Sequence, residues 1–132
     1  MRYLLLIYEP ERPPDAEIPP EVMKAEMDAW GAFTQEVRAR DVMRAGEALQ
    51  PSTTATSVRI RDGRTVVTDG PFAETKETLG GFYLIDCRDL DEAIELSAMM
   101  PNAGRGTVEI RPIWELPQDY ASAEGREAVP AH

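Results

Sequence analysis

Histidine is almost missing from this chain: the single one, His132, is the last of 132 residues. The body therefore has no imidazole for general-base work, no Ser–His or Cys–His pair and no histidine-containing metal site. Cysteine is as scarce. Cys87 alone excludes an intramolecular disulfide and points to a reducing compartment. Lying in an apolar run after Leu84 and Ile85, it reads as a small buried hydrophobe and not as a nucleophile. Positive charge is short as well. Fourteen Lys and Arg against 24 Asp and Glu leave a net charge of −10, without the basic footprint that nucleic acid requires. The same acidity disfavours anionic membranes.

Long apolar runs are also absent. The stretch from Met1 to Tyr8 is interrupted by Glu9, too short for a secretory core and far too short to cross a bilayer. A soluble, cytoplasmic protein is the expectation. No glycine-rich phosphate loop occurs, since Gly80-Gly81 lies ahead of a strand and lacks the helix that follows such loops. Glycines there suit a bulge or a close backbone approach. A carboxylate-only metal site has no spacing signal. Neither cofactor nor metal is expected.

What is present suffices for one domain with a real core: 42% hydrophobic and 29% charged residues. Tyr3 to Tyr8 reads as a first strand, apolar on both faces. Five prolines between Glu9 and Pro20 make a loop. Met23, Met27, Trp30, Phe33 and Val37 then fall at steps of three and four, the stripe of a helix that Pro20 opens and Arg40-Asp41 closes. Val42 to Leu49 passes through Gly46 into a short extended segment. Asp62-Gly63 between Ser57–Arg61 and Arg64–Thr68 predicts a two-residue hairpin. Phe82 to Cys87 is the next strand. Asp89 caps a second helix, with Glu92 reaching back and Leu90, Ala93, Ile94 and Ser97 facing inward. Thr107 to Glu115 is the last strand, held to an edge by Pro112. The domain is expected to span 1–116, with 117–132 a flexible tail.

Strand, helix, strand, inserted hairpin, strand, helix, strand is a split βαβ order. It predicts an α+β, ferredoxin-like fold with both helices on one face of an antiparallel sheet. A first strand apolar on both faces then poses a problem, because two helices cover only one. Several hundred Å² of Leu and Tyr surface would stand open, more than single subunits usually leave. A second copy is the simplest cover: two sheets packed face to face would give a homodimeric barrel. Arg59, Arg61 and Arg64 make the chain's own hairpin a poor substitute.

The densest segment is Asp69-Gly70-Pro71-Phe72-Ala73-Glu74-Thr75-Lys76-Glu77, running into Gly80-Gly81-Phe82-Tyr83. It resembles the signature of the DGPF group within the YCII-related family. That resemblance implies a dimeric α+β barrel, in agreement with the argument from the first strand. Some members of the wider family carry a His-Asp pair proposed as catalytic, and this chain has no matching histidine. Such relatives are often encoded near extracytoplasmic-function sigma factors, which implies a regulatory context. The fold also includes monooxygenases and lactone isomerases.

A ligand would sit in the barrel interior or the subunit cleft. The candidates are Tyr8, Asp69, Phe72, Glu74, Lys76, Glu77, Glu109 and Arg111. Six of them have a plainer alternative. Asp69 caps a turn, Phe72 plugs the core, Glu74 and Lys76 form an exposed pair, and Glu109 and Arg111 pair across strands. Convergence of Arg111 and Lys76 would make the pocket polar and anion-tolerant. Two functions fit: a homodimeric small-molecule-binding or regulatory protein without catalysis, or a small-molecule enzyme using carboxylate, Lys76 or Tyr8 acid–base chemistry.

Overall fold

The computed structural model describes residues 1–13 and 15–117. Strands β1 (Arg2–Pro10), β2 (Met43–Ala48), β5 (Glu77–Asp86) and β6 (Thr107–Pro112) form one sheet in the order β2-β5-β1-β6. Every neighbouring pair is antiparallel. With the hairpin β3 (Thr56–Arg61) and β4 (Arg64–Asp69) set aside as its own two-stranded sheet, this is the ferredoxin-like order. Helices α1 (Pro20–Ala39) and α2 (Leu90–Ala98) fill the two crossovers. Among the described residues, no helix is long and apolar enough to cross a membrane.

Local chemistry sets the boundaries. Pro20 begins α1, where its missing N–H is no loss. The helix ends in a Schellman closure around Asp41, which has φ 56°. Val42 N–H donates to the Val37 carbonyl at 3.1 Å and Asp41 N–H to that of Arg38 at 3.0 Å. Asp62 and Gly63 have φ of 52° and 74°, as a type I′ hairpin demands. At α2, Glu92 N–H donates to the Asp89 carboxylate, and the Glu92 carboxylate accepts from the Arg88 N–H.

The core lies between the helices and one sheet face. Tyr3, Leu5 and Ile7 of β1 meet Tyr83 and Ile85 of β5, Phe33 and Val37 of α1, and Ala93 and Leu96 of α2. Two expected helix faces shift. The inward stripe of α2 is Ala93, Leu96 and Ser97, an i, i+3, i+4 set, with Met100 buried beside it just past the helix end. Ile94 stands about 100° round the helix from Ala93. Leu90 and Ile94 are consequently half exposed, at 48% and 50%. In α1 only Trp30, Phe33 and Val37 reach the core, while Met27 is 66% exposed because the first half of the helix overhangs the packed layer.

Strand limits shift too. β5 starts five residues earlier than expected, inside the signature segment. β6 stops at Pro112, which has no N–H for the ladder. Ile113 N–H still bonds the Arg2 carbonyl at 3.0 Å, and Glu115 holds the Arg2 guanidinium through two bonds of 2.7 Å. Trp114, just past the strand's end, is 82% exposed. Past Pro117 the expected flexible tail lies outside the described residues.

Candidate functional site

A hollow of about 380 Å³ opens between α1 and the β2 edge of the sheet, on the helix side. Small residues edge its floor. Gly46 pairs with Tyr83, and Ala48 with Gly81, and the Met43 methyl and the Tyr83 ring stand 3.0 and 3.1 Å from where a Cβ at Gly46 would be. At Gly81 a Cβ would stand 2.8 Å from the Glu47 carbonyl oxygen, so only glycine lets β2 and β5 approach this closely. The pairing of β1 with β5 slips between Ile7 and Tyr8, a bulge at Gly80-Gly81 as those glycines suggest.

The roof is aromatic. Trp30 lies nearly parallel to Tyr83, with ring centroids 6.3 Å apart and 14° between planes. Phe33 meets both rings edge-on, at 6.3 and 5.1 Å. The Tyr83 hydroxyl is 2.7 Å from that of Thr34, which fixes both polar atoms at the hollow's wall. Arg38 on the lining makes no ion pair among the described residues. At the far end, Glu9 binds Arg105 at 2.9 Å, and Arg105 and Arg12 both reach Glu26, closing that side with a chain of charges. The groups that burial pushes up, Tyr3 and Cys87, lie at the opposite end of the sheet.

The other sheet face carries Leu4, Leu6 and Tyr8 of β1 beside Leu84 and Phe82 of β5. All five are half-buried, and none belongs to the core cluster. Arg111 pairs with Leu4 and Glu109 with Leu6, so both project from this face, exposed and without an ion pair among the described residues.

The expected site residues thus divide into groups. Glu109 and Arg111 share the open face. Tyr8 and Phe72 line an apolar cleft of about 530 Å³ with Leu49, Pro51 and Leu79, at the root of the hairpin. Phe72 is 78% exposed there and plugs no core. Asp69 ends β4, while Glu74 and Lys76 stand exposed. Glu77 opens β5 half-buried, its Oε1 enclosed without a hydrogen-bond partner among the described residues. Arg111 and Lys76 do not converge. Arg111 faces Leu4 and Glu77 faces Pro10, six residues along β1, or about 20 Å at a strand's rise per residue.

None of the expected residues lines the hollow. Its signal was in the sequence as the glycines at 46, 80 and 81, which close neither a turn nor a phosphate loop. Trp30 stood there as a core residue of the helix stripe.

Fold and hollow together define an α+β protein of ferredoxin-like topology with one sheet face uncovered by its own helices. Residues 1–117 match the YCII-related domain, and the chain belongs to the YCII-related family. A stretch of 67 residues is 52% identical to an uncharacterised protein of Rhizobium meliloti (strain 1021), covering 49% of this chain and 54% of that protein. The match thus spans about half the length of the curated relative. Among solved structures, 5-chloro-2-hydroxyhydroquinone dehydrochlorinase from Burkholderia phenoliruptrix AC1100, in complex with 2,5-dihydroxybenzoquinone, aligns over 90% of this chain and 98% of its own. Its sequence identity is 15% and the TM-score 0.45.

Proposed function

We propose that this chain is a homodimeric small-molecule-binding protein, with residues 1–116 as one domain and the ligand seated in the hollow beneath α1. The observation that carries the reading is a hollow edged by the small residues Gly46, Ala48 and Gly81 beside the stacked rings of Trp30 and Tyr83. Small residues next to aromatic rings make a slot for a flat, mostly apolar molecule. The hydroxyls of Thr34 and Tyr83 give it two points of polar contact. Pairing of the open faces through a two-fold axis would cover Leu4, Leu6, Phe82 and Leu84.

Fluorescence tests the site directly. In a Trp114→Phe background Trp30 is the sole indole. Titration with 1-anilinonaphthalene-8-sulfonate should then quench it in a saturable manner, one dye per protomer. Ala48→Leu, whose side chain would extend into the hollow, should weaken that quenching at least about tenfold. Equal quenching in both proteins would overturn the assignment.

A further inference from the structure

The hairpin is built as though one of its sides were meant to be buried. From Val58 to Arg61 apolar and charged residues strictly alternate. Cross-strand pairing puts Val58 opposite Val67 and Ile60 opposite Thr65 on one side. The reverse side carries Arg59, Arg61 and Arg64. Such alternation belongs to ribbons with one covered face, and a two-stranded ribbon alone is marginally stable. Yet every residue of β3 and β4 except Ser57 is exposed, and Val58, Ile60 and Val67 are about 60% open. The root is pinned firmly, by Gly70 N–H to the Ala55 carbonyl and the Ser57 hydroxyl to the Gly70 carbonyl, both at 2.7 Å.

Charge indicates the occupant. The hairpin, residues 56–69, holds three arginines and two aspartates, a balance of +1, so the rest of the chain carries −11. The three arginines make no ion pair among the described residues. A cationic ribbon with an apolar side leaves an acidic body, and that body on a second copy is its complement. The same body presents an open face of Leu4, Leu6, Phe82 and Leu84 bordered by Glu109. We infer that the β3–β4 hairpin is an arm that reaches onto a second copy of this chain, laying Val58, Ile60 and Val67 on it while the outward-facing arginines draw the ribbon to that acidic body by long-range attraction. The inference shares with the proposed function only the homodimer, not the ligand.

Sedimentation velocity on the full chain tests it, from about 1 to 100 μM protein at low and high salt. Two variants disarm the hairpin differently: Val58→Asp with Val67→Asp, and Arg59→Glu with Arg61→Glu and Arg64→Glu. Each should raise the dimer dissociation constant at least about tenfold while the far-UV spectrum of the folded body is kept. The arginine variant should also lose most of the wild type's salt dependence. Unchanged association in both variants overturns the arm; if Leu6→Asp then abolishes association, the pairing of open faces stands without it. A wild-type chain that stays monomeric throughout overturns arm and face pairing together, and leaves the dye titration of the hollow to be judged separately.

Discussion

The Tyr83 hydroxyl lies 2.7 Å from the hydroxyl of Thr34, tying the middle of α1 to a central strand at the wall of the hollow. The two residues are 49 positions apart, and Tyr83 is otherwise enclosed by Trp30 and Phe33. A partly buried bond of this kind between neutral groups contributes about 1 kcal/mol. Tyr83→Phe should lower unfolding free energy by about that amount in urea. Adding Thr34→Val should then cost little more, because the bond is already gone. Fully additive losses would mean that the two hydroxyls act separately.

Gly106 and Gly31 should respond oppositely to alanine. A Cβ at Gly106 would fall 2.1 Å from the Tyr8 carbonyl oxygen, which accepts from the buried Asn102 side chain. Relieving that clash has to move the loop before β6, so Gly106→Ala should cost about 3 kcal/mol or more. Gly31 lies on the exposed side of α1 with nothing within 4 Å of a Cβ. Gly31→Ala should stabilise the protein by about 0.5–1 kcal/mol through helix propensity alone. Thermal melts of the two variants moving in the same direction would contradict both placements.

Cys87 should be a slow thiol. Burial pushes its pKa up, with nearby Glu92 adding to the shift, and its Sγ–H donates to the Asp89 carbonyl. Labelling with a disulfide reagent at pH 8 should be at least about tenfold slower in the native protein than in urea, because the thiolate is both rarer and shielded. The native rate should climb only as pH rises beyond the ordinary thiol range. Fast native labelling at pH 8 would place the sulfur in solvent. The same upward shift has a sign for stability: its contribution is whole below the unfolded thiol's pKa and is lost as pH rises through the folded one.

Glu115 should register in acid. The hydrogen bonds from Arg2 hold its carboxyl below the usual range. A lowered folded-state pKa gives stability that is present above the unfolded value and disappears as pH falls through the folded value. Glu115→Gln should therefore lower the unfolding free energy at neutral pH and flatten its fall on the acid side of about pH 4.5, the two proteins converging in strong acid. Parallel pH profiles for the two proteins would show that the pair does not couple to folding.

What could be read from the chain beforehand followed range of interaction. The type I′ turn at Asp62-Gly63, the Asp89 cap and the start of α1 at Pro20 depend on neighbours a few residues apart, and all three took the expected form. The strand order followed because alternation and turn signals agreed along the whole chain. Helix faces were less legible. Met27 and Ile94 satisfy a helical period, but periodicity does not say where the underlying sheet ends. Lys76 and Arg111 were separated by antiparallel register, a non-local property. The hollow escaped for a different reason: it is defined by where Gly46 meets Tyr83 and Ala48 meets Gly81 across two strands, and an absent side chain leaves no periodic pattern.

A cavity edged by glycines is closed to change at those positions. A side chain at 46 would run into Met43 and Tyr83, and one at 81 would force the strands apart. A descendant of this chain that came to accept a bulkier guest would have to trim Trp30, Thr34, Met43 or Tyr83. Changes in selectivity should therefore be written in these larger side chains, with the glycines beside them left unaltered.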